Sequence, residues 1–352
     1  VELVLWYAGG LAIGASLLSL LKNEAWWIRI FDFPRIQIAT LALIVLAADL
    51  ALRTDPGLAA NVFRAILITC VFYQGSMIYP YTAFARKTAE PAQNPNNAAR
   101  LGLLFANVKQ DNRNAGRLRS IIRDCDPDVV LIIEADEWWR NELNEFARTH
   151  RFTVEQPQDN TYGMILYSRL RVVSSEVLFR VQRDVPSIRA RVELPCGVQV
   201  ELHCLHPKPP VPQEQGRSTE RDAELLIVGR ETRAKNIPIV VLGDLNDVAW
   251  SRTNYLFQRI SGLLDPRIGR GLYNTFDARY PILRFPLDHF FHSNHFRLIT
   301  LRRLPYFGSD HFPMYIALSY EPDAAATQEP AQPAPHDEQQ ATEKIEKTNG
   351  TK

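Results

Sequence analysis

The chain has 352 residues, with 40 Lys and Arg against 39 Asp and Glu and a formal net charge of +1. That balance excludes a global field for gathering nucleic acid and leaves only local arrangements of charge. The length exceeds a usual domain of roughly 100 to 200 residues, and the composition changes twice, ahead of Arg100 and after Glu321. Cys70, Cys125, Cys196 and Cys204 lack CxxC spacing, which argues against a zinc site or a disulfide framework.

Three apolar runs come first, at residues 3–21, 36–52 and 65–84. Each approaches the roughly 20 residues a helix needs to cross a hydrocarbon core, so residues 1–85 are predicted to form a bundle of about three transmembrane helices. Trp26, Trp27 and Arg29 resemble an interfacial aromatic belt. The competing readings are a cleaved signal peptide for the first run, whose basic start and small-residue cleavage site are not clear here, or buried core helices for all three; three runs in succession favour the membrane bundle. Lys22, Arg29 and Arg35 fall in the first loop, Arg53 and Arg64 in the second, and Arg86 and Lys87 after the third run. These charges weakly favour a cytoplasmic catalytic domain, and a basic flank ahead of Val1 would reverse the count. The expectation is an integral membrane protein of unassigned side, with the bilayer as one partner and no feature pointing to a protein partner.

Residues 86–99, RKTAEPAQNPNNAA, have the composition of an unstructured linker, and residues 321–352 have that of a disordered tail. Between them, residues 100–320 hold short β-rich runs that end in residues able to do chemistry. LGLLFANV brings up Asn107, DVVLIIE ends on Glu134, and VQVELHCLH ends on His206 just before Pro207. PIVVLGDLND presents Asp244 and Asn246, LDHFF carries Asp288, and FGSDHF, grouped with these runs, carries Asp310 and His311. Residues 112–124 and 217–230 have helical spacing of apolar positions, so the region is α/β. Singly, each polar residue reads as solvated or as an ordinary turn residue. Their recurrence at run ends is what carries information.

In order, Asn107, Glu134, His206, GDLN at 243–246, LDH at 287–289 and SDH at 309–311 resemble the endonuclease/exonuclease/phosphatase superfamily. The resemblance implies a four-layer α/β sandwich, two packed mixed β-sheets flanked by helices. It implies a hydrolase of phosphate esters, with nucleic acid and phospholipid headgroups both open as substrates. By the same resemblance Glu134, Asn107 and Asp310 hold Mg²⁺, with Mn²⁺ as a substitute. Asp244 and Asn246 position water and phosphate, Asp288 orients His311, and His206 contacts the phosphate or leaving group. The choice of proton acceptor between Asp244 and His311 stays open. Lys109 stands where many abasic-site endonucleases carry an acid, and HCLHPKPP replaces their tyrosine region, which weakens a DNA-repair reading.

Arg221, Arg267, Arg270 and Arg284 are candidate phosphate contacts, since guanidinium groups bind phosphate in bidentate fashion. Asn274, Thr275 and Phe276 sit where the superfamily has a TF-type motif. Trp250, Tyr273 and Phe276 read as packing residues, stacking on a base being the alternative. The competing class is a membrane-anchored protein of the same fold that binds a phosphate ligand without catalysis.

Overall fold

Residues such as Leu103 and Phe105 alternate with Leu104 and Ala106 along one strand, and both sets are buried. A strand sends successive side chains to opposite faces, so such a strand must be covered on both sides. The computed structural model, which describes residues 1–53 and 57–349, has this arrangement. The strands are β1 (Arg100–Asn107), β2 (Val129–Ile133), β3 (Phe152–Gln156), β4 (Met164–Ser168), β5 (Arg171–Leu178) and β6 (Ser187–Glu193). They continue with β7 (Gln199–Leu205), β8 (Ile239–Asp244), β9 (Asp288–His292), β10 (Phe296–Arg303) and β11 (Met314–Tyr320).

One sheet runs β10-β11-β1-β2-β4-β3 and the other β5-β6-β7-β8-β9. Leu103, Phe105 and Leu131 of the first pack against Leu202, Cys204 and Leu242 of the second. The outer face of the first sheet is covered by α5 (Ala115–Cys125) and α6 (Glu137–Leu143) through Leu118, Ile122 and Trp139. That of the second is covered by α7 (Thr219–Arg233) and α8 (Arg252–Ser261) through Leu225, Val228 and Phe257. The four layers match the fold expected from the sequence.

Each sheet has one parallel pair, β1 with β2 and β7 with β8, while β9 runs antiparallel to β8. The ends of β1, β2, β7 and β8 and the beginning of β9 thereby reach one rim, which explains how Asp288, at the start of its strand, meets Asp244 across the ladder. FGSDHF forms no strand. It is a loop between β10 and β11, held by the Ser309 hydroxyl, which donates to the Asn107 carbonyl at 2.8 Å and accepts the His311 N–H at 3.0 Å.

The N-terminal helices are α1 (Glu2–Leu20), the short α2 (Trp26–Arg29), α3 (Arg35–Leu52) and α4 (Leu58–Ile78). Three of them are long and apolar enough to cross a membrane. Ala12, Ala42, Val45, Phe63 and Leu67 pack inside the bundle, and Leu11, Leu17, Ile44 and Phe72 point outward. The third helix starts earlier than the 65–84 run, because Arg64 is accommodated by Asp49 of α3 at 2.6 Å. It stops before Pro80, which cannot donate to a helix.

Both flanks are more ordered than composition suggested. The Leu298 N–H donates to the Glu90 carbonyl at 2.8 Å and the Ala92 N–H to the Leu298 carbonyl at 2.9 Å, so residues 90–92 cover the open edge at β10. After α9 (Ala324–Thr327), residues expected to be disordered form α10 (Asp337–Asn349). Ala341 and Ile345 pack on Leu226, Leu256 and Ile260, Asp337 accepts two hydrogen bonds from Arg259, and Lys344 reaches Asp222 at 2.7 Å.

Candidate active site

The rim gathers Asn107, Glu134, His206, Asp244, Asn246, Asp288, Asp310 and His311 from both sheets. Local backbone decides how they are presented. Glu134 and Asn246 follow strand ends in the left-handed region, with φ of 57° and 50°. Gly243 has φ of 143°, and a Cβ there would lie 1.9 Å from the Leu205 carbonyl oxygen on β7. Only glycine lets β7 and β8 close up immediately before Asp244.

Asn107 ties the two sheets together. Its amide donates to Glu134 Oε1 at 2.7 Å and to Asp244 Oδ2 at 3.3 Å, while its own Oδ1 accepts the Lys109 N–H at 2.9 Å. Asp244 Oδ1 accepts the Asn246 N–H at 2.8 Å, and the Asn246 side-chain amide donates to the Pro207 carbonyl at 3.0 Å. His311 donates from Nδ1 to Asp288 Oδ2 at 3.0 Å, leaving Nε2 3.4 Å from Asp244 Oδ2. The three form a line of carboxylate, imidazole and carboxylate, all buried.

Burial alone would depress the His311 imidazolium, but Asp288 and Asp244 outweigh it and hold its pKa well above the usual value. Burial pushes the Asp244 and Glu134 carboxyls up, against the pull of His311 on both and of the Asn107 amide on Glu134. His206 is the opposite case. It is 3% exposed, its Nδ1 has no hydrogen-bond partner among the described residues, and burial pulls it down to about 3, so it is a neutral imidazole. The Tyr162 ring lies beside it at 5.1 Å.

A divalent cation fits this donor set. Four carboxylates, Glu134, Asp244, Asp288 and Asp310, surround one imidazole; the Arg279 guanidinium comes to 3.7 Å of Asp310 but is already bound by Asp277. Glu134, Asp310 and Asn107 offer the hard oxygens that suit Mg²⁺. Asp244, Asp288 and His311 also bring ligand atoms within 4.8 Å of one another. Asp288 already occupies the histidine's Nδ1, however, so that trio is better described as a hydrogen-bonded relay than as a ligand set.

Glu134, His206, Asp244, Asn246, Asp310 and His311 line a cleft of about 670 Å³, with Asn107 and Asp288 behind them. None of the four candidate phosphate arginines reaches it. Arg221 is buried under the GDLN turn, donating to the Asn246 carbonyl at 2.5 Å and pairing with Asp222 and Asp247. Arg267 pairs with Asp265 and donates to the Asp288 carbonyl at 3.2 Å. Arg270 is spent on the Pro266 and Ala89 carbonyls, and Arg284 on that of Ala278. Each braces the backbone that carries a site residue or its neighbouring loops. Among the described residues the one arginine that lines the cleft is instead Arg29, from the turn between the first two long helices, bound to Asp32 at 2.9 Å and Asp247 at 3.2 Å. Its place in a presumed interfacial belt hid it. Trp250 is a packing residue, its indole donating to the Asp32 carbonyl at 2.7 Å, whereas Phe276 lines the cleft 4.9 Å from the His311 ring.

A sequence profile described as the endonuclease/exonuclease/phosphatase family matches residues 104–311, more than half of the chain. The chain belongs to that family. No curated protein matches it significantly. Among solved structures, D. rerio TDP2 humanized by 14 mutations superposes with a TM-score of 0.52 at 17% identity, covering 63% of this chain and 99% of that one. The human nocturnin catalytic domain with bound sulfate gives 0.52 at 17% identity, covering 65% and 96%. A family protein from Bacteroides thetaiotaomicron gives 0.51 at 15% identity, covering 65% and 97%. At these identities the likeness is one of fold. Family membership supports hydrolysis of a phosphate ester, and the Asn107, Glu134, GDLN and SDH positions converge on one rim.

Proposed function

We propose that the protein is a membrane-tethered hydrolase of phosphate esters that works with a divalent cation, Mg²⁺ or Mn²⁺, in the cleft between the two sheets. The observation that supports this most is the line Asp288–His311–Asp244 set beside Glu134 and Asp310. Glu134, Asp310 and Asn107 would hold the cation, whose chemistry is to neutralise phosphoryl charge and ease departure of the leaving oxygen.

The side chains have separable tasks. Asp288 fixes the His311 ring, so that the imidazolium faces the cleft with Nε2–H available to a phosphoryl oxygen. Asp244, held by the Asn246 and Asn107 amides, is placed to orient a water and accept its proton, which burial favours by raising the carboxyl's proton affinity. Neutral His206 stands at the same cleft to contact the phosphate or the departing oxygen.

The test uses the full chain in detergent with bis(p-nitrophenyl) phosphate, with Mg²⁺ or Mn²⁺ and with a chelator. Turnover that requires the metal and drops at least about 100-fold in His311→Ala is expected. Equal rates with metal and with chelator, or an active His311→Ala, would sink the proposal.

A further inference from the structure

The wall of the cleft belongs to the membrane end of the molecule. Ile30, Phe33 and Pro34, from the turn joining α2 to α3, line it together with Leu283 and Phe285 of the loop before β9. The Phe33 and Phe285 rings meet edge to face at 5.5 Å. One hydrogen bond sets the level of this wall. Gln37, in the first turn of α3, donates from Nε2 to the Ile282 carbonyl at 2.7 Å. The loop therefore lies beside the first turn of an apolar helix long enough to span a bilayer.

The apolar residues at that level are bare. Ile282 is 79% exposed and Leu283 and Trp27 51% each. Large apolar side chains left open around the end of a spanning helix belong in the interfacial layer of a bilayer. The cleft mouth, bounded by Ile30 and Leu283, then opens at the depth of lipid headgroups, with the carboxylates and His311 in the same cleft.

Charge points the same way. Among the described residues lining the cleft, Arg29 is the one Lys or Arg, and it is already shared by Asp32 and Asp247. Glu134, Asp244, Asp310 and Glu214 line the cleft with it. A nucleic-acid strand is held by Lys and Arg along successive phosphates, and no second Lys or Arg among the described residues lines this cleft to hold a second phosphate.

We infer that the substrate is an amphipathic lipid phosphoester entering from the bilayer, its alkyl chains along Ile30, Phe33, Leu283 and Phe285 and its phosphate at the catalytic groups. This rests on the hydrolase reading above. A water oxygen adds to phosphorus, the P–O bond to the leaving alcohol breaks, and the leaving oxygen takes up a proton, giving a phosphate and an alcohol.

The test compares six substrates with the full chain in lipid nanodiscs. They are dioleoyl phosphatidylglycerol and phosphatidic acid, their dihexanoyl counterparts, a single-stranded oligonucleotide and bis(p-nitrophenyl) phosphate. A kcat/KM at least about tenfold higher for a dioleoyl lipid than for its dihexanoyl counterpart is expected, with the oligonucleotide slower than both. Phe33→Ser with Leu283→Ser should bring that chain-length ratio toward one. Ile30→Ser, at a half-exposed position, makes the same test without disturbing the Phe33–Phe285 contact. Equal rates on long and short chains, a preferred oligonucleotide, or an unchanged ratio in both variants would overturn the inference. If bis(p-nitrophenyl) phosphate is still cleaved in that event, the hydrolase reading survives; no hydrolysis of any substrate refutes both.

Discussion

Gly243→Ala probes the point where strand geometry and chemistry meet. The new Cβ would sit 1.9 Å from the Leu205 oxygen and 2.9 Å from its carbonyl carbon. Carbon and oxygen in contact lie about 3.3 Å apart, so the β7 carbonyl must retreat by roughly 1.4 Å or the β8 turn must twist. Leu205 is the ladder partner of Gly243, so retreat pries apart the one parallel pair in that sheet. Overpacking costs about 1–3 kcal/mol and an unfavourable positive φ about 1–3 more. The sum, roughly 2–6 kcal/mol, is a large share of a typical native stability of about 5–15 kcal/mol. Where the fold survives, Asp244 is displaced by a distance of the order that costs about 100-fold in rate. Chemical denaturation of the detergent-solubilised chain and initial rates on bis(p-nitrophenyl) phosphate measure the two effects. A variant with the parental midpoint and rate would refute the claim that glycine is required there.

Asp288→Asn should lower kcat by about 10²–10⁴-fold, because the amide no longer holds the His311 imidazolium; a kcat within threefold of the parent would remove Asp288 from the relay. Glu134→Gln should weaken Mn²⁺ binding at least about tenfold by titration calorimetry while leaving circular dichroism unchanged, and undiminished affinity would place the cation elsewhere. Glu224 on α7 is buried, its Oε1 without a hydrogen-bond partner among the described residues, and burial pushes its carboxyl up to about 7 from an ordinary 4.5. A raised folded-state pKa contributes stability that is full below pH 4.5 and lost as pH rises through 7, by roughly 3 kcal/mol in all. Glu224→Gln should flatten that slope in denaturation midpoints taken from pH 4.5 to 8; an unchanged slope would assign it to other groups. Lys344→Ala should loosen α10, since it removes the bond that ties that helix to buried Asp222, and faster amide exchange at residues 337–349 would report it; parental protection would mean Ala341 and Ile345 suffice.

The sequence disclosed the parts of the site that depend on strand ends. Apolar runs covered on both faces are recognisable, and the polar residue that follows each is forced to one rim by the parallel pairs β1–β2 and β7–β8. Asn107, Glu134, His206 and Asp244 could therefore be placed together from the runs and the family likeness. The arginines could not. Whether Arg267 faces a phosphate or an aspartate depends on Asp265, whose burial has no local signature. α10 was hidden because its apolar stripe amounts to little more than Ala341 and Ile345, its charged pairs being with α7, α8 and Glu24, from 78 to 323 positions earlier. The cleft wall was hidden for a similar reason. Arg29 and Asp247 are 218 positions apart, and nothing near either of them announces the other.

That pairing also bears on modularity. Arg29 joins Asp32 to Asp247, and Asp247 is shared with Arg221 beneath the GDLN turn. Trp250 and Tyr81 bond across the same seam, to the Asp32 and Ala249 carbonyls. The boundary near Arg100 is thus a boundary of composition only. A soluble fragment cut there would bare Asp247 and the Trp250 face and would lose one bank of its own cleft. The N-terminal helices are a portion of the enzyme, and a foreign anchor spliced onto residues 100–320 would not replace them.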